Sequence, residues 1–262
     1  MNKLLIALLL LLGSASAQTP APSAPQDETA QKGRALLNQA IAALGGPAYL
    51  NVKDMSQQGR SYSFYHGEAR GVGILFWLFW KAPQMERVEL TKQRDVIYIY
   101  NAGQGYETTF RGTRPIEQKD LDDYLRQRDY SLANVLRDWV NQPGAAVFYE
   151  GPAFAGNAAT DQVSIINSKN QSVKLFLDVN THLPVKKSFT VRDPESRERD
   201  LEEELYGNYH LVQGVQTAFD STRLHNGEVT RQRYVNQVRY NTGLADSLFT
   251  ATVTYDPNAK KK

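Results

Sequence analysis

The chain has 262 residues, no cysteine, and 30 basic against 28 acidic side chains. The lack of cysteine excludes disulfides, thiolate metal sites and cysteine nucleophiles together. The near-neutral balance, with part of the basic excess in the Lys260-Lys261-Lys262 tail, speaks against a nucleic-acid partner, and a chain of this length can bury a core without covalent staples.

The N-terminus carries an export pattern. Asn2-Lys3 supplies positive charge, residues 4–12 are an apolar run, and Ala15-Ser16-Ala17 is a small-residue cleavage site. Residues 1–17 therefore read as a secretory signal peptide, too short for a transmembrane anchor, with no cysteine behind it to take a lipid. The expected mature chain begins at Gln18, is soluble, and crosses the inner membrane to the periplasm. Residues 18–26, QTPAPSAPQ, form a Pro/Ala/Ser spacer. One domain is expected over 27–255, with a polar basic tail over 256–262.

That domain opens with a helix. Asp27 is placed to cap it, Leu36, Leu37, Ala40, Ile41 and Leu44 recur at helical spacing, and Gly45-Gly46-Pro47 ends it. From Asp54 the pattern changes to strands. The stretch 71–83, GVGILFWLFWKAP, is apolar on both faces: Leu75, Trp77 and Phe79 point one way, and Ile74, Phe76, Leu78 and Trp80 the other. Such a strand must be covered on both sides. It is either a central core strand or one whose second face lines a cavity, and a one-residue slip would exchange the two faces. Strands over 85–91, 95–100 and 105–110 follow at meander spacing, too close for parallel crossovers, so the sheet is expected to be antiparallel.

Residues 116–140 are helical in pattern, with Leu121, Tyr124, Leu125, Leu132, Val135, Leu136 and Trp139 on one face. A division at Asp129-Tyr130-Ser131 would make Ser131 a second cap. Strands are expected over 146–154, 162–167, 172–179, 184–191, 200–212, 215–225 and 228–240. Asn226-Gly227 marks a hairpin, because both turn positions tolerate positive φ. Residues 178–181 and 193–196 read as tight connections, and 246–249 as a last short edge.

Little here points to catalysis. His66, His182, His210 and His225 are widely separated and lack metal-ligand spacing, so neither metal nor cofactor is expected. The carboxylates of DPESRERDLEEE, 193–204, read as a solvated hairpin, and Arg231, Arg233 and Arg239 as a wet strand face. No nucleophile turn or phosphate-cradling loop is present. An enzyme is not expected.

The order of several short pieces resembles a known family. Ala43-Leu44-Gly45-Gly46 at the helix end, Trp80-Lys81-Ala82-Pro83 followed by Arg87, and the 98–106 segment with its Asn-Ala-Gly turn are similar to the periplasmic lipoprotein-carrier superfamily, the LolA/LolB-like proteins. The hairpin LDVNTHLPVK at 177–186, then YGNYHLVQG at 206–214 and NTGLADSLF at 241–249, agree with it. The resemblance implies an α+β, mainly β fold: an antiparallel, unclosed half-barrel whose concave apolar face is lidded by helices and holds acyl chains. It makes Arg87 the nearest match to the carrier's lid-locking arginine. It also implies an exported carrier or sensor binding lipoprotein acyl chains or another lipid. Leu75, Phe76, Trp77, Leu78, Phe79, Trp80, Ile97 and Ile99 would line the cavity, with Leu132, Leu136 and Trp139 on the inner side of the lid. The alternative is a non-catalytic interaction module on the same fold, its cavity collapsed and an envelope protein as its partner.

Overall fold

The computed structural model describes residues 25–192 and 197–259. The expected signal peptide, most of the spacer, the 193–196 connection and the last three lysines lie outside the described residues. The first helix, α1 (Pro25–Leu44), starts two residues ahead of Asp27, which with Glu28 places negative charge in the first turn, where it suits the helix dipole. Its Leu36, Leu37, Ala40 and Leu44 are buried. Gly45 and Gly46, at φ 124° and 53°, end it before the single-turn α2 (Pro47–Leu50).

Seven strands follow: β1 (Asp54–Tyr65), β2 (Glu68–Ala69), β3 (Ile74–Lys81), β4 (Met85–Leu90), β5 (Val96–Asn101), β6 (Gln104–Thr109) and β7 (Gly112–Pro115). Helices α3 (Gln118–Asp129) and α4 (Leu132–Arg137) come next, divided where expected, with the Ser131 hydroxyl accepting from the Asn134 N–H. Seven more strands complete the sheet: β8 (Ala146–Ala155), β9 (Ala158–Ile166), β10 (Ser172–Asp178), β11 (Pro184–Arg192), β12 (Arg199–Val212), β13 (Val215–His225) and β14 (Glu228–Tyr240). At the last hairpin Asn226 and Gly227 both have positive φ, 52° and 83°.

These strands form one 14-stranded antiparallel sheet that does not close into a barrel. Its order is β7-β6-β5-β4-β3-β1-β14-β13-β12-β11-β10-β9-β8, with the short β2 paired to β1. The first strand thus lies mid-sheet beside the last, and a meander runs outward on each side. The edge strands β7 and β8 are consecutive in sequence, so the chain passes from one edge to the other through α3 and α4. The two edges do not pair with each other, and the sheet stays open.

The C-terminal segment differs from the sequence reading. Asp246–Phe249 is a 3-10 turn rather than an edge strand. Lys81 donates to the Leu244 carbonyl and Arg87 to the Leu248 carbonyl, which ties the turn across the outer face of β3 and β4 and buries Phe249. Beyond it, the Thr254 N–H donates to Thr113 and that of Asp256 to Arg111, covering the edge of β7. The buried Asp54 carboxylate holds the start of this segment, accepting from the backbone N–H groups of Thr242 and Gly243 at 2.7 and 2.9 Å and from the Thr242 hydroxyl. Burial alone would raise its pKa, but these donors bring it below the usual aspartate value.

The inner face of the sheet is the one against which the helices pack. Its β8–β11 half is dry: Val147, Val163, Ile165, Val173, Leu175 and Leu177 meet Leu37 and Ala40 of α1, Val135 and Leu136 of α4, and Trp139. Tyr130 stacks on Phe189 at 4.1 Å between ring centroids and meets Trp139 edge-on.

Candidate ligand-binding face

Pairing register decides what the other half of the inner face carries. Lys187 of β11 lies opposite Glu204 of β12, Glu204 opposite Arg223 of β13, and Arg223 opposite Arg231 of β14. Four neighbouring strands thus set four charged side chains in one row. Lys187 Nζ donates to Glu204 Oε2 at 3.1 Å, the Tyr206 hydroxyl donates to the same oxygen at 3.0 Å, and Arg223 Nε stands 3.5 Å from Glu204 Oε1. Two residue pairs along the hairpin, on the same face, Arg233 lies opposite Ser221, and its guanidinium lies over the Phe76 ring at 4.3 Å. The charged row therefore borders the apolar side of β3.

A β-bulge explains why the arginines point inward. Between Gln58 and Gly59 the β1–β14 register shifts by one residue, so Val235 pairs with Gly59 but Gln237 with Gln58. Alternation breaks there, and Arg231 and Arg233 turn to the inner face while Arg239 stays outside. Gly59 is required at this point, because a Cβ would come within 2.1 Å of the Tyr234 carbonyl oxygen. The wet strand face expected from Arg231, Arg233 and Arg239 is thus not one face. Nor are the carboxylates of 199–204 all solvated, since Glu204 and Glu202 turn inward; Glu202 accepts from His225 Nδ1 at 2.9 Å.

The electrostatics follow from this crowding. Burial alone would raise the Glu204 carboxyl, but Lys187, Arg223 and Arg231 hold it far below the usual range. Burial pulls Lys187 below its ordinary value against the attraction of Glu204. Glu86, on β4 across the concavity, is raised by burial although Arg233, Arg223, Arg231 and Arg128 pull the other way. Arg231 is lowered to about 9 by burial and then by Arg223 and Arg233. Arg233 is lowered for the same two kinds of reason, burial first and Arg223 second.

Helix α3 roofs this space. At one end Gly105 of β6 lets it approach, since a Cβ there would meet Ile116 at 2.4 Å and Leu121 at 3.2 Å. In its middle the Tyr124 ring stacks on Tyr100 of β5, 3.4 Å apart and 8° from parallel. Near its far end Gln127 donates to Glu202 of β12 at 3.4 Å. So α3 reaches from one arm of the sheet to the other, and yet none of its 12 residues is fully buried.

No protein-family model and no curated relative matches the sequence. Solved structures do match in shape. A DUF1329 family protein from Desulfovibrio piger superposes with TM-score 0.58 at 12% identity, covering 83% of this chain and 97% of that one. A structure described as an outer membrane lipoprotein-sorting protein domain, from Vibrio parahaemolyticus, gives 0.56 at 11% identity over 84% and 97%. A LolA superfamily protein from Nitrosomonas europaea gives 0.51 at 15% identity over 83% and 97%. The fold is LolA-like. At these identities the likeness is one of architecture, the half-barrel with its helical cover.

Within this LolA-like fold the expected cavity residues separate. Phe76, Leu78 and Trp80 share the inner face with Arg233 and the core; Phe76 and Leu78 are buried. Leu75, Trp77 and Phe79, with Ile97 and Ile99 of β5, share the outer face. There Trp77 donates to Gln58, Arg94 lies over the Trp77 ring, and Glu89 is gripped by Arg87 and Arg94. Arg87, the nearest match to a lid-locking arginine, thus serves the outer face and the C-terminal turn. Leu136 and Trp139 sit in the dry core at 0% and 1% exposure, with half-buried Leu132 packed against it. Sequence reasoning missed Lys187, Glu204, Arg223 and Glu86. The signal for them is the pairing register, which alternation alone does not show.

Proposed function

We propose that this chain is an exported, non-enzymatic carrier or sensor that holds lipid acyl chains, lipoprotein chains among them, between α3 and the inner face of the sheet. The observation that carries the reading is α3 itself: a helix that bridges both arms of an open sheet with Leu121, Tyr124 and Leu125 only half-buried and no residue fully buried. A purely structural helix in that place would bury its apolar stripe fully, as α4 does with Val135 and Leu136. In this reading α4 and Trp139 anchor a cover that α3 opens. Phe76 and Leu78, with Trp80 and Leu132 nearby, supply the apolar wall. Leu75, Trp77, Phe79, Ile97 and Ile99 then belong to outer-face packing. The energetics suit exchange: about twelve buried methylenes contribute roughly 10 kcal/mol, against association costs of about 4–15 kcal/mol.

The test is displacement of a fluorescent fatty acid, beside native mass spectrometry of gently purified exported protein. Phe76→Ala should weaken probe binding, and Trp77→Ala should leave it unchanged. A folded protein that carries no lipid and binds no probe would sink the carrier reading. It would favour the interaction module with an envelope partner, a reading supported by the filled β8–β11 half of the face. Intact mass of the exported protein checks the start at Gln18, and retention of the leader in a membrane fraction would overturn the soluble reading. Among the described residues no helix is long and apolar enough to cross a membrane.

A further inference from the structure

Resting on the lipid-binding reading, we propose that the charged row beneath α3 is a site for the anionic head group, phosphate or carboxylate, of an amphiphile whose chain runs along Phe76 and Leu78. The case begins with a conflict in the sheet. Arg223 and Arg231 lie directly opposite each other on neighbouring strands, where like charges repel. Arg233 adds a third guanidinium two pairs further along, on the same face.

The carboxylates at hand do not settle this charge. Glu204 already accepts from Lys187 and Tyr206, and Glu202 from His225 and Gln127. Glu204 also pairs with Arg223 Nε at 3.5 Å, which leaves Arg231 and Arg233 facing Glu86 across the concavity, a carboxylate whose ionised form burial disfavours. Lys187, Arg223, Arg231, Arg233 and Arg128 all act on Glu204 or Glu86, so these two carboxylates are outnumbered by the cations around them. Among the described residues the buried Nε of Arg233 has no hydrogen-bond partner, and the buried Nε of Arg223 has only its 3.5 Å ion contact with Glu204. Uncompensated charge in a shielded space is costly unless a counter-charge arrives. A guanidinium pair presents the forked donors that match phosphate or carboxylate oxygens.

The surroundings select an amphiphile over a free ion. The Arg233 guanidinium rests on the Phe76 ring, so the cationic site and the apolar wall share a border. A head group held by Arg231 and Arg233 leaves its chain pointing along β3. Tyr124 on α3 stands above, so ligand binding would also give the loosely seated helix something to close upon.

The deciding experiment compares head groups at constant chain length on the unmodified mature protein, by displacement of a fluorescent probe. Dodecyl phosphate and dodecanoate should bind about tenfold or more tightly than dodecanol, a difference of about 1.4 kcal/mol or more. The preference should shrink with added salt and vanish in the Arg231→Gln/Arg233→Gln double variant, whose melting curve reports its folding. Because the unmodified protein decides between the head groups, a variant that fails to fold does not remove the test. Equal affinity for dodecyl phosphate and dodecanol would overturn the head-group site and leave the chain-binding reading intact. No binding of any of the three would overturn both. Inorganic phosphate binding as tightly as dodecyl phosphate would overturn the amphiphile and mark a free-anion site.

Discussion

The two halves of one inner face are built from opposite kinds of side chain. Toward β8–β11 the face is filled by aliphatic side chains and Trp139, and the cover over it, α4, buries Val135 and Leu136 completely. Toward β12–β14 and β3–β5 the same face carries Glu204, Arg223, Arg231, Arg233 and Glu86, with Lys187 of β11 at the border, and the cover over it, α3, has no fully buried residue. A sheet needing only stability would make both halves alike, because well-packed apolar residues are as stable as a buried ion network or more so. In the proposed reading, stability rests on one half and ligand chemistry on the other.

The sharpest way to break this contrast is at the anchor. Trp139→Ala should cost about 3–5 kcal/mol in denaturant unfolding. A cost under about 1 kcal/mol, within the range of ordinary surface changes, would mean the dry half is no anchor.

Next come two carboxylates of opposite sign. Glu204→Gln should cost about 3 kcal/mol at neutral pH, because it strands the buried Lys187. Glu86→Gln should cost nothing or stabilise, because burial raises Glu86 and its ionised form is the disfavoured one. Acid unfolding checks the signs. Glu204 is depressed in the folded state, so its stabilisation is full above the unfolded value of about 4.3 and fades as pH falls through the lower folded one. The Glu86 cost is instead relieved on acidification through its raised value, and Glu86→Gln should abolish that relief.

A smaller effect marks the boundary between the halves. Ser131→Ala removes the cap of α4 and should cost about 1 kcal/mol, read as a lower melting temperature. The smallest belongs to the cover. Tyr124→Leu loses the stack on Tyr100 and should cost about 0.5 kcal/mol. Amide exchange should quicken in α3 and not in α1; equal quickening in both would make α3 part of the global fold.

The strands and their hairpins were legible because their cues are local. Alternation, Asn226-Gly227 and the Ser131 cap each act within a few residues. The two-faced 74–80 strand was legible as a strand needing two covers, but its faces awaited the register. Arg231, Arg233 and Arg239 looked equivalent because a strict period of two assigns them one side. The bulge opposite Gly59 breaks that period, and its cause, the close Tyr234 carbonyl, lies on a strand distant in sequence. The row from Lys187 to Arg231 was hidden for a related reason, since each member comes from a different strand. The short β7 and its pairing with residues 254–256 left no periodic trace at all.

The position of β1 beside β14 also sets a timetable. Asp54 grips Thr242 from 188 residues away, and both meanders hang from the seam between the first strand and the last. A chain emerging from its N-terminus can form β3–β7 and later β8–β13, but neither half gains its central neighbour until β14 is free. Contacts of such long range are slow to form, and until then the open edges of β1 and β13 are exposed to pairing with other chains. Completion of this protein is therefore its last event, and a copy cut short before residue 228 would present two unfinished sheets rather than a smaller version of the whole.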